Sequence, residues 1–172
     1  IMLLVSKLGA LGVLLSDLGE RAADDLSPSA AALLLTLRFR PALTATELAD
    51  VAGIAQSTAV RVLDGLIRRG LAVRQKRTGR AAPVRLTSLG RRRAERLLSA
   101  RLAAIGQVVS ILPRDERREL ERIVDKVLAE ATTSRASART TCRLCDHEAC
   151  SGPRCPIGTR ATEIEARGGE PC

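Results

Sequence analysis

The sequence predicts a mostly helical chain with one small β-hairpin, built around two short helices joined by a tight turn. Three observations lead there. Apolar residues recur at helical spacing through most of residues 1–131, and strand-like alternation is confined to "LAVRQK" and "PVRLT" on either side of "RTGRAA". Apolar side chains make up 45% of the 172 residues, enough for one domain with a real core and an appendage. The net charge of +9 is unevenly placed: residues 61–101 hold thirteen Lys/Arg against only Asp64 and Glu95, a local +11 that leaves the rest of the chain at −2. Such a local field suits a polyanion, either nucleic acid or an anionic membrane surface.

The elements follow in order. In "IMLLVSKLGALGVLLSDLGE", Leu4, Leu8, Leu11, Leu15 and Leu18 are spaced four, three, four, three, a seam that asks for a partner helix. Lys7 and Asp17 interrupt this segment short of the roughly 20 apolar residues of a membrane span, and no small-residue cleavage site follows, so a soluble cytoplasmic protein is expected. "LSPSAAALLLTLRF" predicts a second helix, with Ser27 as N-cap and Pro28 in the first turn. Thr44 and Glu47 form a capping-box pair opening a short third helix that Gly53 ends. "QSTAVRVLDGLIRRG" carries Val60, Leu63, Leu66 and Ile67 on one face and closes at Gly70, completing a helix-turn-helix. After the hairpin, a long helix runs from Thr87 to Leu112 with Leu98, Leu102, Ile105, Val109 and Leu112 again spaced four, three, four, three. Pro113 ends it and begins another, with Leu120, Ile123, Val124, Val127 and Leu128 on one face. Beyond Ala131 the Ser, Thr, Arg and Ala content reads as a linker, and the last dozen residues as a loose tail.

The charge then acquires an address. A helix beginning near Gln56 offers Gln56, Ser57, Thr58 and Arg61 at the end that enters a major groove in helix-turn-helix docking. Arg61 is the expected base reader, with guanine its natural target; Ser57 and Thr58 serve equally as phosphate contacts or as helix caps. Arg77 and Arg80 on the hairpin tip suit a minor groove or phosphates. Arg68, Arg69, Arg74, Lys76, Arg91, Arg92 and Arg93 have the character of phosphate neutralisers. Without a Gly-rich phosphate loop or a nucleophile elbow, and with one His, the chain is not expected to be an enzyme. A purely architectural DNA binder is the rival of another class. The membrane-surface reading is weaker, because no aromatic anchors accompany the arginines.

The order of elements, with "ELADVAGIAQSTAVRVLDGLIRRGLAVRQ" followed by "VRLTSLGRR", resembles the MarR family of winged helix-turn-helix transcription regulators. The resemblance spans residues 1–133. It implies a homodimer formed by interleaved N- and C-terminal helices, each subunit presenting one winged helix to half of a palindromic double-stranded DNA operator, most commonly as a repressor. It also implies a cleft for a small aromatic effector, although Phe39 is the only aromatic residue here. Where the family often carries an Asp just ahead of the wing-tip Arg, Gly79 precedes Arg80.

Residues 134–158 form a separate cysteine-rich segment, followed by the tail at 159–172. Cys142, Cys145, Cys150 and Cys155 follow C-x2-C-x4-C-x4-C, with Pro156 after the last. In a reducing compartment such a cluster holds metal or does redox work. One C-x2-C knuckle, two single cysteines and a terminal Cys-Pro resemble ferredoxin-like runs more than paired zinc knuckles. An iron–sulfur cluster, [2Fe-2S] or [4Fe-4S], is the first reading, zinc the second and metal-free redox thiols the third. Arg143 and Arg154 would lower the thiol pKa values and offset cluster charge. His147 is a possible substitute ligand, more naturally a neighbour of the site, and Cys172 a bystander. The segment is thereby a sensor of redox, oxygen or iron state that would act through the last dimer helix.

Overall fold

The computed structural model describes residues 1–76 and 82–168. Eight α-helices and one hairpin follow in the order α1 (Met2–Ala23), α2 (Pro28–Phe39), α3 (Ala45–Ala52), α4 (Gln56–Arg68), β1 (Ala72–Arg74), β2 (Val84–Leu86), α5 (Ser88–Ser110), α6 (Arg114–Ala131), α7 (Arg135–Thr141) and α8 (Pro156–Gly168).

Local chemistry sets the boundaries. Ser27 Oγ accepts the Ala30 N–H at the head of α2. Thr44 and Glu47 make the reciprocal capping box of α3, which Gly53 ends at φ 67°. Thr87 accepts the Gly90 N–H at the head of α5 and donates to the Gly70 carbonyl, tying the helix-turn-helix to α5. Gly90 is obligatory there, since a Cβ would collide with the Leu71 carbonyl.

The main core surrounds α2, whose Leu33, Leu34, Leu35 and Leu37 are fully buried against Leu48, Leu63, Leu66, Val84 and Leu97. Burial of each such leucine contributes about 2 kcal/mol. The hairpin is antiparallel, pairing Ala72 with Leu86 and Arg74 with Val84, and Leu43 extends it by a bridge to Val84. The wing tip, with Arg77 and Arg80, lies outside the described residues, as does Cys172.

The terminal helices are bare by contrast. Helix α1 packs along α5 only at its C-terminal end, where Gly19 and Ala23 are buried, while Leu4, Leu8 and Leu11 of the seam are exposed. By length and composition α1 is long and apolar enough to cross a membrane, so Lys7 and Asp17 do not exclude a span as the sequence reading supposed. Helix α6 turns back from α5 at 118° and buries none of its residues.

The structure corrects the C-terminal third. The linker expected after Ala131 is helical: Thr132 is buried, and Ser134 and Ser137 form a capping box that starts α7. The tail expected at 159–172 is helical through Gly168, because Pro156 opens α8 and Ile157 and Ala161 bury one face of it. These residues join Ala138 and Cys155 in a second, small core against Leu128 of α6. Arg135 clasps the two short helices through Glu165, at 2.6 Å, and Thr162.

Candidate nucleic-acid interface and thiol site

Helix α4 presents its first turn and a half outward because Ala59, Leu63 and Leu66 take the opposite face into the core. Ser57 and Arg61 are exposed and Thr58 half-buried. The N-cap is Ala55, with no side-chain cap, so Ser57 and Thr58 are not the caps that sequence reasoning allowed them to be. Gln56 Nε2 donates to Thr46 Oγ1 at 3.0 Å, bracing α4 against α3.

The basic residues divide into two groups. Arg61, Arg68, Lys76, Arg91 and Arg92 are exposed and make no ion pair among the described residues. Arg69, Arg74 and Arg93 are engaged in ion pairs within the chain. Arg69 pairs with Asp25, and Arg74 reaches Asp64 at 2.7 Å. Arg93 donates to Asp25 at 2.9 Å and to the Ala23 carbonyl at 2.8 Å, locking the end of α1 to α5. The Arg93 hydrogen bond, reinforced by the charge of Arg69, holds the Asp25 carboxyl below its ordinary range. Arg85, which sequence reasoning passed over, is exposed on β2; the alternation Val84-Arg85-Leu86 carried that signal.

The four cysteines converge. Cys142, Cys145, Cys150 and Cys155 line one cavity of about 160 Å3 together with His147 and Gly158. Backbone turns aim them. The Cys142 N–H closes α7 on the Ala138 carbonyl, and the Cys145 N–H returns to the Cys142 carbonyl at 3.0 Å. Asp146 Oδ1 accepts the Glu148 N–H at 2.9 Å, turning the chain toward Cys150. Cys155 stands at the head of α8, where its sulfur accepts the Gly158 N–H at 3.2 Å.

The cysteines influence one another's ionisation in pairs, Cys142 with Cys145 and Cys150 with Cys155. Among the described residues, no three His, Cys, Asp or Glu groups are arranged to hold a metal ion as they stand. The hydrogen bond from Cys142 draws Cys145 down to about 7, while the same bond and burial push Cys142 upward, and burial raises Cys150 to about 11. Four sulfurs in this cavity cannot ionise together without a positive centre, and soft thiolates select iron–sulfur clusters or zinc. Of the two arginines within the motif, Arg143 donates to the Thr140 carbonyl at 2.6 Å and Arg154 is exposed; the positive charge of Arg101 on α5 adds a small downward pull on Cys145.

His147 lines the thiol cavity and also fastens the segment to the core. Its Nε2 lies 2.9 Å from the Cys142 carbonyl, and its ring stacks on Phe39 at 4.8 Å. Arg38 reaches Glu148 at 3.4 Å, Thr140 donates to the Asp50 carbonyl at 3.3 Å, and Leu144 packs on the main core. The thiol segment thus sits on α2 and α3, directly behind the helix-turn-helix.

The model of the MarR family matches residues 24–81, which run from the end of α1 to the hairpin. Residues 24–81 are thus similar to the MarR family, and the fold around them is a winged helix. The MarR family protein Rv2887 of Mycobacterium tuberculosis is 27% identical over 72% of this chain and 92% of its own, with a TM-score of 0.62. A MarR family protein of Bacillus stearothermophilus is 25% identical over 76% of this chain and 94% of its own, with a TM-score of 0.68. Rv2887 has also been solved in complex with DNA, a structure 26% identical over 72% of this chain and 96% of its own at a TM-score of 0.60. No curated protein matches the chain.

Beside the winged-helix core, a second cavity of about 490 Å3 opens between α1, α2 and α5. Its lining includes Leu15, Gly19, Leu35, Leu97 and Arg101, and residues Arg143 and Leu144 of the thiol segment. The lining is aliphatic and charged, with no aromatic residue.

Proposed function

We propose that this MarR-family regulator binds double-stranded DNA as a homodimer, reading a palindromic operator with α4, in the cytoplasm and most simply as a repressor. The observation that carries the reading is the outward face of α4: Ser57, Thr58 and Arg61 stand free of capping duty at the groove-entering end, with Arg68, Lys76, Arg85, Arg91 and Arg92 exposed on the same α4, hairpin and α5 unit. Dimerisation is supported by the bare leucines of α1 and by Leu120, Ile123, Val124 and Val127, exposed on α6. Arg61→Ala is expected to weaken operator binding by about 1–3 kcal/mol while leaving random-duplex affinity almost unchanged. Competition binding with both duplexes checks this; equal losses on both would remove Arg61 from base readout.

We further propose that Cys142, Cys145, Cys150 and Cys155 hold an iron–sulfur cluster, making the regulator responsive to redox, oxygen or iron state. When bound, the cluster supplies a charge that changes with oxidation state. The chain supplies four converging sulfurs, an N–H from Gly158 to Cys155, and the positive charge of Arg101. The contacts of His147, Glu148 and Thr140 with α2 and α3 carry a change of order straight to the helix-turn-helix, a shorter route than the one expected through the last dimer helix. Visible absorption with iron and sulfide analysis of anaerobically purified protein tests this. A colourless protein with one zinc per chain would make the site structural and give the cavity beside Arg101 the regulatory role.

A further inference from the structure

The elbow between α1 and α2 is strained and tightly gripped. Asp24 sits at φ 59° and ψ −115°, a positive φ that an L side chain rarely adopts and that persists only where the surroundings hold it. The grip comes from the next residue. Asp25 accepts from Arg93 of α5 through Oδ1 at 2.9 Å and from Arg69 through Oδ2. Arg69 is the C-cap of α4, and Arg93, with its side chain only 13% exposed, also donates to the Ala23 carbonyl at 2.8 Å. One carboxylate therefore joins the end of α1, the end of α4 and the first turns of α5.

We propose that Asp25 sets the angle between α1 and the reading helix α4, and thereby the half-site spacing that the dimer accepts. The inference rests on the reading of the chain as a homodimer that places two copies of α4 in DNA. Asp25 is a positioning residue, acting through Arg69 and Arg93 rather than on a base.

The bare leucines Leu4, Leu8 and Leu11 lie on the N-terminal half of α1, far along the helix from the elbow. In a dimer held by that seam, α1 is the fixed reference from which each reading head hangs. Ala59, Leu63 and Leu66 fix α4 within the winged-helix core, so the core tilts against α1 as one body. Only Gly19 and Ala23 of α1 are buried, and residues so small interlock too little to set that tilt. The Asp25 bridge sets it instead. Helix α4 is 13 residues, about 20 Å, long. A tilt of about 10° at its Arg69 end carries Gln56 about 3.4 Å, one base-pair step along DNA. Without the bridge the strained backbone at Asp24 is free to relax to a commoner conformation, and the angle of α1 changes with it.

Binding of the full chain to duplexes that carry the same two half-sites at the selected spacing, one base pair longer and one base pair shorter tests this. The readout is the ratio of affinities between spacings, which a change in net charge or overall stability does not move, because both act on every duplex alike. Asp25→Ala and Asp25→Asn are expected to lower the wild-type ratio about threefold, the scale of losing two partly exposed ion pairs, with half-site sequence preference unchanged. Asp24→Gly removes the strain and a carboxylate 3.9 Å from Arg93 while leaving the Asp25 bridge, and is expected to keep the wild-type ratio. A wild-type ratio in both Asp25 variants, or a lowered ratio in Asp24→Gly alone, would overturn the role of Asp25 and leave the dimeric reading standing. A wild-type chain with no preference between spacings would overturn the dimeric reading, and the role of Asp25 with it.

Discussion

The winged-helix half and the thiol segment are built on opposite principles. The first encloses α2 with leucines from every side, and its boundaries are fixed by caps such as Ser27, Thr44 and Thr87. The second buries Ala138, Cys155, Ile157 and Ala161, far too little apolar surface to order some thirty-five residues alone. It is held instead by docking, through Phe39 with His147 and Arg38 with Glu148. A region with little core of its own can change order without unfolding its host, which is what a sensing element needs.

The sharpest way to break this contrast is to cut each core. Leu34→Ala, at a fully buried position, is expected to cost about 3 kcal/mol and to shift the whole unfolding transition in urea. Ile157→Ala is expected to expose residues 134–168 to proteolysis while the main transition stays nearly in place. If Ile157→Ala lowered the main transition as far as Leu34→Ala does, the two regions would be one cooperative unit. The docking contact is measured more finely by a double-mutant cycle between Phe39 and His147, with an expected coupling of about 1 kcal/mol in segment protection. A coupling near zero would leave the segment held by its other contacts.

The smallest expected effect lies at the α1–α5 junction. The Asp25 carboxyl, depressed by Arg93 and Arg69, contributes stability that is fully present above its unfolded value near 3.8 and lost as pH falls through the lower folded value. Arg93→Ala is expected to flatten that acid limb below pH 3.8 and leave the neutral range parallel to wild type, as followed by helical circular dichroism. An unchanged acid limb would assign the pH dependence elsewhere.

The parts of the molecule legible in the sequence are those fixed by neighbours in the chain. Thr44 with Glu47, Gly53, and Thr87 announce their helix ends because each acts on a backbone group within a few residues. The cysteine spacing was equally plain. What stayed hidden depends on contacts across the chain: Phe39 and His147 stand 108 positions apart, and nothing local marks either as the other's partner. Helix α7 was obscured by its Ser, Thr, Arg and Ala content, with Ser137 in the capping-box place usually held by Glu or Gln. Arg69, Arg74 and Arg93 read as free charge because Asp25 and Asp64 lie outside or within a basic run that conceals pairing. Arg101 closed that same run, and only the fold shows that it lies against Gly19 and lines the cavity between α1, α2 and α5.

The central claim is that two copies of α4 lie in successive major grooves of duplex DNA. Hydroxyl-radical footprinting of the full chain on a duplex selected from a random library tests it directly. The account predicts two protected patches related by a palindrome and centred about one helical turn, or a multiple of one turn, apart. A single patch, or uniform protection without sequence preference from a monomeric protein, would contradict it.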